Sequence, residues 1–167
     1  QKEFDPSIDP KTYPSIEGGR ILYRAFKKDP TRYRLSSEAL MRRLKKERDV
    51  YEINDLVDLM NLYSLRTGHP VGLYDRVKIE GEIVFRLGVA EEPYRGLGKG
   101  KLNIENLPVL SDDRGAFGSA TSDSERTAIT VDTKDFLMVI FNYGFLQGEE
   151  SVLEAKKMID EFIDAKV

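Results

Sequence analysis

The sequence predicts an α+β fold, a single domain in which a mostly antiparallel sheet is flanked by helices. Three observations predict it: two helical windows early in the chain, a strand-rich middle punctuated by Gly and Asp turns, and one amphipathic window near the C-terminus.

Residues 1–19 contain three prolines and end in Gly18-Gly19, which reads as an extended N-terminal arm ahead of a domain over 20–167. Arg20 to Phe26 alternates as a strand does. After the Asp29-Pro30 turn, a helix is expected from Ser36, whose hydroxyl can cap the free amides of the first turn. Leu40 and Leu44 share one face, Ala39 and Met41 lie beside them, and Arg42, Arg43, Lys45 and Lys46 ring the rest. A second helix should run from Asn54 or Asp55 to just before Gly68, a residue suited to the left-handed position that ends helices. Its apolar residues leave few polar positions, so Asp58 and Asn61 stand out as polar groups in a buried helix, where an unpaired one costs several kcal/mol.

Beyond Asp75, VKIEGEIVFRLG reads as a hairpin turning at Glu80-Gly81, and YRGLGKGK as a tightly bent connection. Pro108 to Ser111 is a short strand, Asp112 to Gly118 a turn, and Thr127 to Val131 and Phe136 to Phe141 two more strands. The last is apolar throughout and reads as central. Ser151 and Glu154 form a capping box before a helix whose apolar face is Val152, Ala155, Ile159 and Phe162.

With 167 residues the chain is long enough to bury about two thirds of the surface its unfolded form exposes. The absence of Cys and the single His argue against a disulfide framework and a metal centre, so no metal and no cofactor are expected. No apolar run is long enough to span a bilayer, and a reducing, cytoplasmic setting without membrane contact is expected. The net charge of -3 conceals segregation: Arg20 to Arg48 carries eleven basic and three acidic residues, a net +8 against about -11 for the remainder. Such a stretch is either a solvated face or a phosphate-binding one.

No Walker A loop, nucleophile elbow, zinc spacing or dinucleotide fingerprint is present. GLGKGK lacks the Ser or Thr and the strand-to-helix setting of a phosphate loop. His69 precedes Pro70 in a turn, where packing or a surface position competes with a general-base role.

Four segments in order go further: DPTRYRLSSEALMRRL, INDLVDLMNLYSLRTGHPVGLYD, IEGEIVFRLG and SDSERTAITVDTKDFLMVIF. Together, from Asp29 to Phe141, they resemble the B3/B4 editing domain of the phenylalanyl-tRNA synthetase beta subunit and its free-standing relatives. The resemblance implies a hydrolase that deacylates mischarged aminoacyl-tRNA in trans. Asn61 matches the pocket Asn of the family helix, Asp58 the Asp one turn earlier, and Glu125 an acidic residue that recognises the tyrosine side chain. Two positions depart: Met60 stands where the family has Thr, and Gly72 where it has His, which argues against tyrosine as the substrate.

An aminoacyl ester is already activated, so a water held in line with donors for the oxyanion can suffice. The expected catalytic groups are Asn61, Ser124 and Thr127, with Ser122 and backbone amides near Gly72 and Gly118 in support. Asp123 and Glu125 could read the substrate's amino group or a basic side chain, and Arg126 the terminal phosphate of the acceptor end. Arg32, Arg34, Arg42, Arg43, Lys45 and Lys46 are expected to meet tRNA phosphates, the partner then being tRNA with its amino acid moiety. The competing expectation for the DSERT segment is a polar turn that caps its own backbone, and for Asp58 a helix-anchoring hydrogen bond. The alternative function is a non-catalytic module that binds tRNA or a free amino acid. The edited amino acid and the oligomeric state are open at this level, and the arm and capped final helix are those expected of an independent protein.

Overall fold

The computed structural model describes residue 5 and residues 7–47, 53–144 and 148–163. Arg48 of the basic stretch and residues 1–4 and 6 of the expected arm lie outside the described residues. Among the described residues, four α-helices and seven strands make an α+β fold with antiparallel sheets. The chain divides into a helical unit (Gln1–Ile21, Leu35–Val71, Ile140–Val167) and a strand-rich unit (Leu22–Arg34, Gly72–Val139).

Helix α1 (Pro14–Ala25) replaces two expectations, the extended arm over 14–19 and the strand over 20–26. Glycine pairs disfavour helices by about 1 kcal/mol per residue, but here they are required by close approach. A Cβ on Gly18 would collide with the Tyr143 carbonyl, and one on Gly19 with the Leu35 and Tyr143 side chains. Ile16 and Arg20, one turn apart, are both buried, the spacing of a helix rather than a strand.

Helix α2 (Ser36–Glu47) begins where expected, although its buried residues are Ser37, Glu38 and Met41 rather than Leu40 and Leu44. Glu38 is inside because Arg20 donates to both its oxygens at 3.0 Å and Arg42 donates from Nε at 2.9 Å. Helix α3 (Asp55–Thr67) also matches its expected limits. The Asn54 side chain accepts from the Val57 amide, and Gly68 ends the helix at φ 79°. Leu62 is exposed, so α3 is less buried than its composition implied. Helix α4 (Gly148–Phe162) starts three residues before the expected cap. Ser151 is therefore inside the helix, and Val152 and Phe162 of the expected apolar face are exposed while Ala155 and Ile159 are buried.

In the strand-rich unit, β5 (Pro108–Asp112) is the middle strand between β2 (Val84–Leu87) and β6 (Gly115–Gly118), antiparallel to both. The expected hairpin over 77–88 is not formed. The turn at Gly81 exists, with φ 73°, but the Glu80 amide donates to the Asp112 carboxylate and its carbonyl accepts from the Asp113 amide, and β2 pairs with β5. β3 (Arg95–Gly96) and β4 (Gly100–Lys101) form a short antiparallel hairpin whose turn has Gly98 and Gly100 at positive φ.

β1 (Val71–Asp75) pairs with β7 (Phe136–Ile140) in a two-stranded sheet, so the apolar strand is not central and all five of its residues are half-buried. Thr127 to Val131 is not a strand; Glu125–Thr127 forms one 3₁₀ turn, and Ala128 makes a single bridge to Tyr74.

Candidate functional site

Strand alternation puts Gly72 and Tyr74 on one face of β1. Gly118, the last residue of β6, approaches the same phenol. A Cβ at Gly72 or at Gly118 would each collide with the Tyr74 hydroxyl, so the ring fits only because both positions lack a side chain. Phe117 packs edge-on against the ring with centroids 5.1 Å apart, and Tyr74 is fully buried. Its hydroxyl donates to Asp123 Oδ1 at 2.5 Å.

Burial pushes the Asp123 carboxyl up to about 7, against the pull of the Tyr74 hydroxyl, the Lys99 charge and the backbone amides of Ser119 and Leu73. The phenol is neutral, so it satisfies the carboxylate geometrically without cancelling its charge. The result is an acid that exchanges its proton near neutrality. Burial also acts on the neighbouring phenols, driving Tyr94 upward and Tyr23 up to about 12. Tyr94 donates to the Ser122 carbonyl at 2.6 Å, and Tyr23 shares a 2.9 Å bond with the Thr121 hydroxyl. These bonds clamp the turn that carries Asp123.

Around Asp123 the chain alternates between two cavities. Ser124, Glu125 and Arg126 line one of about 460 Å³ together with Tyr94, Arg95 and Arg114. Ser122 lines another of about 290 Å³. Both use the 95–101 hairpin, which is tied to this segment by the Leu97 amide donating to the Asp123 carbonyl and by a bridge between Gly96 and Ser124.

The other expected groups have the following surroundings. Ser124 caps the 3₁₀ turn by accepting from the Arg126 amide, and the buried Thr127 hydroxyl faces the Phe117 carbonyl at 3.4 Å. Arg126 makes a two-pronged pair with Asp112 at 2.8 and 3.0 Å, donates to two backbone carbonyls, and lies 5.9 Å from the Phe117 ring. Burial opposes the ionised Asp112, but the Arg126 pair prevails and holds its carboxyl below the usual range. Glu125 is exposed and paired with Arg95 at 3.0 Å. Arg32 and Arg34 are in the strand-rich unit, whereas Arg42, Arg43, Lys45 and Lys46 belong to α2 in the helical unit, so the basic stretch is split between units.

Asn61 and Asp58 also belong to the helical unit. Asn61 is half-buried, and its side chain makes no hydrogen bond to another described residue. Asp58 accepts the Ile53 amide on both oxygens, at 3.1 and 3.2 Å, which anchors the entry to α3. His69 is held between the Ser15 hydroxyl, 2.7 Å from Nδ1, and the Ser151 hydroxyl, 3.4 Å from Nε2, and burial lowers its pKa. No group of three or more metal-ligating side chains occurs among the described residues. None of the described helices is long and apolar enough to cross a membrane.

Sequence reasoning missed Tyr74. The available signal was a Gly two residues before a Tyr in a strand, which leaves room on one face for the ring to lie along the sheet.

The B3/4 domain model matches residues 19–145. The chain belongs to the B3/4 domain family. The phenylalanine–tRNA ligase beta subunit of Vibrio cholerae is 31% identical over 91 residues, covering 53% of this chain and 11% of that protein. The corresponding subunit of Malacoplasma penetrans is 29% identical over 94 residues, 54% of this chain and 12% of its own length. This B3/4 chain thus spans only about a tenth of the curated relatives it matches.

Proposed function

We propose that this B3/4 protein is a trans-editing hydrolase that cleaves the ester of mischarged aminoacyl-tRNA. The observation that carries the reading is the convergence of Gly72, Gly118 and Asp123 on one buried tyrosine hydroxyl, in a member of a family whose curated relatives are tRNA ligase subunits. A carboxyl titrating near neutrality, beside a cavity lined by Ser124 and Glu125, has the properties needed to handle a proton or a substrate ammonium at physiological pH. Asn61, matched through the family resemblance, has an amide with no described internal partner and is assigned to the attacking water or the ester carbonyl. The exposed Arg43, Lys45 and Lys46 of α2 are assigned to tRNA phosphates.

The test is release of free amino acid from a panel of correctly and incorrectly charged tRNAs. Release from one or a few mischarged pairs is expected, and Asn61→Ala should lower it at least a hundredfold while leaving the melting temperature within a few degrees. Full turnover in folded Asn61→Ala would remove that residue from the mechanism. No release from any pair would favour the second reading, a non-catalytic module that binds tRNA or a free amino acid. That reading is favoured by the internal engagement of Ser124 and Thr127 and by Met60 and Gly72 at the positions of the family Thr and His.

A further inference from the structure

The three-stranded sheet of the strand-rich unit is covered on two strands and bare on the third. β5 lies at its centre, with Val109, Leu110 and Ser111 all buried. β2 is an edge strand in unbroken register with it: Val84 is opposite Ser111, Phe85 opposite Leu110 and Leu87 opposite Pro108. Residues directly opposite one another share a face of the sheet, so they should be covered alike. Instead Leu110 is 6% exposed and Phe85 55%, while Ser111 is 4% exposed and Val84 44%. Val84 and Phe85 point to opposite faces, so the cover stops at β5 on both sides of the sheet.

Ile83, Leu87 and Val89 are exposed as well, which sets five large apolar residues along one short edge. Single apolar side chains on a surface need no explanation, whereas a row of them on an edge strand is a template for another strand. Proteins that keep such an edge unpaired guard it with Lys, Pro or a bulge. From Ile83 to Val89 there is no Lys and no Pro, and the pairing of β2 with β5 runs without a shift. The one charged residue there, Arg86, is folded back. It donates to both Glu92 oxygens at 2.6 and 2.9 Å, to the Ser111 hydroxyl at 3.0 Å and to the Leu87 carbonyl at 3.1 Å.

The ends of the strand select the occupant. At the N-terminal end stand Glu82 and the Asp113 carboxylate, which lies against Gly81; at the C-terminal end stand Glu91 and Glu105, the latter bridged to Gly88. Glu80 and Glu92 are neutralised by Arg114 and Arg86, but these four acids have no ion pair among the described residues. A second copy pairing antiparallel through β2 would bring its Glu82 toward the Glu91 end and set like charge against like.

We propose that the outer edge of β2 is a docking site for an extended segment of a partner protein, apolar at alternate positions and carrying Lys or Arg at both ends. The segment adds as a fourth strand. Its apolar side chains cover Val84, Phe85 and Leu87, and its cations meet Glu82 and Asp113 at one end and Glu91 and Glu105 at the other. None of these residues is among those assigned to tRNA or to the ester, so the docking site is independent of the hydrolase reading.

The test follows backbone amide resonances of the full chain by NMR during titration with the synthetic peptide KKVTVTVTVKK. The amides from Ile83 to Leu87 should shift, and the affinity should fall with salt. EEVTVTVTVEE, with the same apolar core, should bind at least tenfold more weakly. Phe85→Lys should weaken the basic peptide at least tenfold while leaving the melting temperature within a few degrees, since the side chain it replaces is more than half exposed. Strand addition is checked on the unaltered protein with two forms of the basic peptide, N-methylated at the alternate amides of one edge or of the other: one form should bind and the other should not. No shift at Ile83 to Leu87 up to millimolar peptide, equal binding of the acidic peptide, or equal binding of the two methylated forms would overturn the proposal. So would a dimer in sedimentation that Phe85→Lys dissolves, which would give the edge to a second copy of the chain.

Discussion

In the helical unit the buried carboxylate of Glu38 meets the guanidinium of Arg20 on both oxygens, whereas in the strand-rich unit the carboxyl of Asp123 meets the phenol of Tyr74. Glu38 is fully buried and Asp123 half-buried, and their partners differ in charge. A guanidinium cancels the buried charge and makes the pair a fixed structural element. A phenol supplies one hydrogen bond and no charge, so the desolvation cost remains and the proton is held up to about pH 7. Burial against a cation and burial against a neutral donor thus leave an acid in different electrostatic settings.

The comparison is broken most severely at Glu38. Glu38→Ala would leave the buried Arg20 with only its long 3.9 Å ion pair to the exposed Glu17 and should destabilise the protein by about 3–5 kcal/mol, read from chemical denaturation. Replacing both partners, as in Arg20→Met with Glu38→Leu, should restore most of that loss; a double variant as unstable as the single would mean that packing around the pair, not charge, is what matters.

A smaller effect is expected where the phenol is gripped. Gly118→Ala places a methyl group against the Tyr74 oxygen while Gly72 blocks retreat on the other side, and overpacking of this kind costs about 1–3 kcal/mol. The denaturation midpoint should fall and the Tyr74–Asp123 bond should lengthen or break. Unchanged stability would show that the ring has room to move.

The effect most specific to Asp123 is a dependence on pH. Its folded pKa is raised above the ordinary carboxylate value of about 4, so the folded protein holds a proton that the unfolded chain has released. The stabilisation this provides is complete below about pH 4 and is lost as pH rises through about 7. Asp123→Asn removes the titration, so its melting temperature should exceed that of the parent at pH 8.5 and converge with it at pH 5. Parallel curves across that range would place the Asp123 proton elsewhere.

How much of this was legible depends on distance along the chain. The start of α2, the limits of α3 and the existence of β5 were readable, because Asn54 caps amides three residues away and Gly68 ends α3 through its own φ. Helix α1 was misread as arm and strand because the cause of Gly18 and Gly19 is Tyr143, more than a hundred residues later. The strand expected after Thr127 fails for a related reason: a single bridge to Tyr74 and the capping by Ser124 leave no ladder to extend.

The candidate site follows the same division. The sequence by itself determined the family resemblance, the polar residues of α3, the glycines at 72 and 118, and the acid at 123, since each is a matter of residue type at a position. Only the tertiary structure decided that the two glycines exist for one tyrosine and that Arg126 faces Asp112. Chain-local rules act through a few bonds of backbone, whereas the charge state of Asp123 and the partner of Arg126 are set by desolvation and by groups that folding brings from 14 to 49 residues away.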